Sequence, residues 1–172
     1  MAIKGKAYTK TSWAFEERPV ASSKLNLWDD RIEDALELAF FLIAQAWGGG
    51  DGVIRAVGSE LEVVEKDPVG LSVDVLSGYA FIDGHVYRLQ QTMQTADVTP
   101  PATNPRIDIV QARLGTWDVN TKQGTEAASP VAPTADADTI VLAQLFLRPG
   151  MTSIQNTDDT VNGYIIDTRN FV

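Results

Sequence analysis

The stretch Gly78-Tyr79-Ala80-Phe81-Ile82-Asp83-Gly84-His85-Val86-Tyr87-Arg88-Leu89 decides the fold class. Two short runs rich in aromatic and aliphatic residues flank Asp83-Gly84, and an Asp-Gly pair in that setting is the strongest short-range signal for a tight β-hairpin. The same rhythm extends outward in both directions. Val53 to Val57 and Leu61 to Val64 flank Gly58-Ser59-Glu60 and read as a further hairpin, and Leu71 to Val75 alternates strictly. Downstream, Ile107 to Arg113 reads as a strand, followed by a turn at Gly115 and a short strand from Trp117 to Val119. Thr139 to Leu147 is a strand stopped by Pro149-Gly150, and Ile165 to Asn170 closes the series. Short strands at this spacing predict an antiparallel β-sandwich or small barrel over residues 51–172.

Upstream of residue 51 the period changes to that of a helix. Asn26 is a good N-cap, and Asp29, Asp30, Glu33 and Asp34 put negative charge near the positive helix end. Trp28, Ile32, Ala35, Ala39, Leu42 and Ala46 recur at helical spacing, as do Leu36, Phe40, Ile43 and Trp47, and Gly48-Gly49-Gly50 ends the run. The expected class is therefore mainly β with one long N-terminal α-helix, the helix spanning 27–47. Its last turns, Ala39 to Ala44, are apolar nearly all round. One sheet covers only one side of a helix, so this rod predicts a second partner, most simply copies of itself.

Residues 1–26 show no sustained period, and Pro19 blocks a helix there. Trp13 and Phe15 are costly to expose, so this segment is read as an extended arm that docks onto a neighbour. The expected interface comprises Trp13 and Phe15 of the arm with Trp28, Leu36, Phe40, Phe41, Ile43 and Trp47 of the helix. Charge supports a polar arrangement. The arm carries five Lys or Arg against Glu16 and Glu17, so a segment of +3 precedes a body of −12 in a chain of net charge −9. That acidity argues against nucleic acid as a partner, because a phosphate backbone demands a basic surface. The 172 residues contain no cysteine, which removes disulfides, thiolate metal sites and cysteine nucleophiles. The first residues lack the apolar core of a secretory signal, and the greasy stretch from Ala39 to Trp47 is too short to cross a bilayer. A soluble protein made in a reducing compartment is expected.

No catalytic set emerges, and a non-enzymatic role without cofactor or metal is expected. His85, the only histidine, reads as a solvated turn residue beside Gly84, and one histidine without cysteine makes a poor zinc site. The acidic pairs Asp29/Asp30, Asp136/Asp138 and Asp158/Asp159 are the candidates for glycoside hydrolysis. The first is explained by helix capping, and the others read as solvated turn acids. Asp136-Ala137-Asp138 lacks the spaced series of a calcium loop. Gly48 to Gly52 follows a helix and lacks the Lys-Ser/Thr of a phosphate loop. Trp117, Tyr79 and Tyr87 form a candidate sugar-stacking face, against their more common use in cross-strand pairs and cores.

Six segments in order carry a resemblance. They are Ser77 to Gly84; Asn104-Pro105-Arg106-Ile107-Asp108-Ile109-Val110; Gly124-Thr125 with Pro130 and Pro133; Ile140 to Ala143; Gly150 to Ile154; and Ile166-Asp167-Thr168-Arg169. This order resembles a module of tailed-phage baseplate and tail-fibre proteins, across roughly residues 75–170. The front part, Asn26 to Ile32 with Gly48 to Val53, also looks like the start of such proteins. The resemblance implies a virion protein, usually a homotrimer, that links or decorates the tail and binds other tail or baseplate proteins, with no catalytic residues. The chain stops soon after Arg169 with no receptor-binding tip, which favours an adaptor or fibre base. A head decoration or head fibre, and a carbohydrate-binding module that recognises a host glycan, are the alternatives. Arg106 and Asp108 fall on one strand face, and Asp167 and Arg169 share that alternation. A lattice of these four is expected to staple the closing strand or a subunit boundary, against the reading of ordinary exposed pairs.

Overall fold

The computed structural model describes residues 5–10, 22–46 and 50–172. One helix, α1 (Ser22–Ala46), precedes eleven strands: β1 (Gly52–Val53), β2 (Val63–Glu65), β3 (Val73–Val75), β4 (Gly78–Ile82), β5 (His85–Leu89), β6 (Met93–Gln94), β7 (Arg106–Arg113), β8 (Asp118–Lys122), β9 (Thr139–Leu147), β10 (Ile154–Gln155) and β11 (Gly163–Asp167). The fold is mainly β with one N-terminal helix, as the periodicities predict. Three sheets form, in the orders β1-β4-β5, β2-β3-β6 and β10-β11-β9-β7-β8. Every pairing between them is antiparallel except β10 with β11, and a single parallel bridge joins Val53 to Phe171.

The sheets share one apolar core. Val53, Val75, Ile82 and Tyr87 from the smaller sheets meet Val110, Leu142, Leu145 and Ile154 from the large one. The hairpin at Asp83-Gly84 forms as read: both residues take positive φ, 50° and 81°, and Ile82 pairs with His85 across a two-residue loop. His85 therefore opens β5 and is not a turn residue. The chain enters α1 at Ser22, which places Asn26 inside the second turn, where it caps nothing. Trp117 also departs from expectation. It lies in the turn itself at φ 55°, and the strand begins at Asp118.

The hairpin expected from Val53 to Val64 does not form. Val53 pairs with Ala80 of β4, whereas Val63 pairs with Val75 of β3, so the two runs belong to different sheets. The Glu60 carboxylate explains the divergence. It accepts hydrogen bonds from the backbone N–H of Val57 at 2.6 Å and of Gly58 at 2.9 Å, closing a small loop of its own. Leu61 follows at φ 53°, which turns the chain toward β3. The Val57 bond is the main reason that the Glu60 carboxyl is held down from 4.5 to about 2. A depressed folded pKa makes the clamp fully effective above the ordinary carboxylate range and loses it as pH falls toward the folded value. The amide protons of Val57 and Gly58 should therefore titrate with a midpoint near 2 in NMR spectra. A midpoint at 4.5 would mean that the clamp is absent in solution.

Candidate assembly surface

Several large side chains of α1 remain exposed among the described residues. Trp28 is 45% exposed, Leu36 52% and Leu42 55%, and Leu25, Leu27, Ile32 and Ile43 are exposed as well. Phe41 is the exception at 6%, because it is the side chain that this helix turns inward onto its own chain. Phe41 is thereby removed from the expected interface, while Phe40 is half-buried. Trp13, Phe15 and Trp47 lie outside the described residues.

Two polar contacts fix the helix relative to the body and to the arm. His85 Nε2, at the start of β5, lies 3.2 Å from Glu37 Oε1. On a neighbouring face, the Lys6 backbone N–H donates to Asp34 O at 2.9 Å, and Lys6 Nζ lies 3.6 Å from Asp34 Oδ2. Gly5 sits so close that a Cβ there would meet Asp34 O and Leu38 N at 2.3 Å. The described part of the arm, residues 5–10, thus runs against its own helix, a contact that no sequence pattern announces. Between α1 and the β4-β5 hairpin runs an open groove of about 650 Å³, with Ile32, Leu36 and Phe40 on one side and Tyr79, Val86 and Trp117 on the other. Tyr79 and Trp117 reach this groove, but Tyr87 is buried and stacks beneath Trp117 with ring centroids 6.0 Å apart. The three therefore do not form one aromatic face.

The four ion-pairing residues form two closed units and not one lattice. Arg106 and Asp108 are almost fully buried, with Nε to Oδ1 at 2.7 Å and Nη2 to Oδ2 at 2.9 Å. Arg106 Nη2 also donates to Thr99 O, and Asp108 accepts from the Gly124 N–H. Asp167 and Arg169 make their own two-pronged pair, and Arg169 Nη1 donates to the carbonyls of Gly58 and Glu60. The Arg169 guanidinium lowers the Asp167 pKa and has its own pKa raised in return. Both units fasten loops of one molecule. Each residue finds its partner two positions away, Arg106 and Asp108 on one face of β7 and Arg169 just beyond the end of β11, so neither pair needs the other.

Asp136, Asp158 and Asp159 are likewise engaged locally. Asp136 accepts from Lys122 and Gln111, which lowers its pKa and pins the 124–138 loop onto β7 and β8. Asp158 accepts from Arg148, and Asp159 closes a turn by accepting from Val161 and Asn162. Among the described residues no three His, Asp or Glu side chains are grouped to hold a metal ion. Nor is any described helix long and apolar enough to cross a membrane. Comparison with protein-family models, with curated proteins and with solved structures gives no match.

Proposed function

We propose that the chain is a building block of a tailed-phage particle, the base of a tail or baseplate fibre or an adaptor to one, whose task is assembly and not catalysis. The observation that carries the assembly reading is the apolar surface of α1. Seven large apolar side chains stand exposed on one helix whose body already has a complete core of its own. Burying each is worth about 1.5–3 kcal/mol, so a partner surface there has a large driving force. Contiguous exposed apolar surface of this kind marks a docking site.

The placement on a phage particle rests on the ordered motifs between Ser77 and Arg169, and the residues of those motifs fix the body. Asp83-Gly84 makes the hairpin turn, and Arg106-Asp108 ties two loops to β7. Gly124 passes so near the Ile107 carbonyl that a Cβ would lie 2.1 Å from its oxygen. Asp167-Arg169 holds the loop of Gly58 and Glu60. An ordered set of residues with such duties is what a shared module retains. The test is antibody labelling of purified particles, read by electron microscopy and backed by mass spectrometry. Label at the tail end supports the proposal; label on the capsid would move the protein to the head, and absence from washed particles would end the virion reading.

A further inference from the structure

The exposed face of α1 has a regular rhythm. Leu25, Trp28, Ile32, Ala35, Ala39, Leu42 and Ala46 follow one another at steps of three, four, three, four, three and four. That is the heptad seam of a coiled coil. Leu25 joins the series only because the helix starts at Ser22. All seven are exposed except Ala35, which is half-buried. Glu37, which meets His85 of the body, is five residues from Ile32, about 140° round the rod. One face can therefore stay on its own body while the other meets a partner.

Resting on the assembly reading above, we infer that this seam pairs with the same seam of further copies of the chain, parallel and in register. The distribution of charge fixes the direction. Every charged residue of α1 lies in its first part, from Lys24 to Glu37, and Leu38 to Ala46 has none. An antiparallel partner lays Leu42 and Ile43 against Asp29 and Arg31, and takes water from charges without pairing them. A parallel copy lays the uncharged half on itself. It also brings Lys24 of one helix beside Asp29 of the next, the flanking positions five apart where coiled coils place opposite charges. Leu36 and Ile43 flank the seam on one side and Leu38 on the other, which widens the apolar strip beyond the two core rows. The small layers at Ala35, Ala39 and Ala46 let the backbones approach.

Because the chain lacks cysteine, single thiols report this geometry without background. Leu25→Cys, Leu42→Cys and Ala46→Cys are each oxidised mildly in the full chain and run on non-reducing gels, with Asp30→Cys as the off-seam control. Each of the three seam variants is expected to link to its own copy, and Asp30→Cys is not. Ala46→Cys removes no packing side chain, so lost packing cannot account for silence there. If only co-expressed Leu25→Cys and Leu42→Cys chains link to each other, the copies are antiparallel and this inference fails while the assembly reading stands. If sedimentation of the unmodified chain at micromolar concentration gives a monomer, the assembly reading itself fails and takes the inference with it.

Discussion

Replacing Arg106 by Met should destabilise the β body by about 3–5 kcal/mol, the cost of leaving one partner of a buried ion pair without the other. Arg106 and Asp108 have side chains 3% and 2% exposed, so water cannot take over the hydrogen bonds of the abandoned carboxylate. Asp108 keeps one donor, the Gly124 N–H, which does not neutralise its charge. The same substitution frees the Thr99 carbonyl and so loosens the 99–105 loop where it meets β7. Urea unfolding followed by fluorescence measures the loss as a lower midpoint at unchanged slope. The double variant Arg106→Met/Asp108→Leu should recover most of it, since replacing both members of a buried pair by apolar groups is often neutral. A single variant as stable as the parent would mean that the pair is open to solvent. Asp167→Ala offers the contrast. That carboxylate is 53% exposed and its partner Arg169 only 5%, yet Arg169 keeps the carbonyls of Gly58 and Glu60, so the loss should be smaller, about 1–3 kcal/mol.

These two pairs show how far the sequence could be read. Alternation places Arg106 and Asp108 on one face of β7, a local property that the sequence makes legible, whereas Arg169 lies beyond the end of β11. Which face turns inward depends on the sheets stacked on β7, and nothing in Arg106-Ile107-Asp108 records that. The same division separates the two hairpins. Asp83 and Gly84 carry their own positive-φ backbone, so their turn follows from two residues. The runs at Val53 and Val63 are equally apolar, yet their partners are Ala80 and Val75, chosen by contacts distant in sequence. Strands β6 and β10 are two residues long and leave no periodicity to detect. On the helix, the apolar stripe was visible from spacing. Which side chain is buried was not, because Ala39 to Ala44 offers apolar residues in every direction and only the fold selects Phe41. The helix start was misplaced for a related reason: Asn26 satisfies the local rule for a cap, but Ser22 and Ser23 begin the helix one turn earlier.

Substituting Ile32 and Leu42 together by Asp should abolish self-association while leaving the β body intact. Both residues lie on the exposed seam, and neither belongs to the core that joins the sheets. The exposed portions of the two side chains together amount to about one full burial, so about 1.5–3 kcal/mol of driving force per copy is lost. At about 1.4 kcal/mol per tenfold change, association weakens at least about 10-fold, before the cost of burying the new carboxylates and the repulsion between them are added. Sedimentation at a concentration where the parent is fully assembled should then show a monomer. Near-ultraviolet circular dichroism should retain the bands of the buried Tyr87 and its stacked Trp117, and the urea midpoint of the body should stay within about 0.5 kcal/mol of the parent, as for surface changes generally. Phe41→Asp is expected to behave in the opposite way. It puts a carboxylate where the helix buries an apolar ring, so it should loosen α1 and raise amide exchange along the helix. An Ile32→Asp/Leu42→Asp chain that remains assembled would show that the exposed stripe is not the surface through which the copies meet.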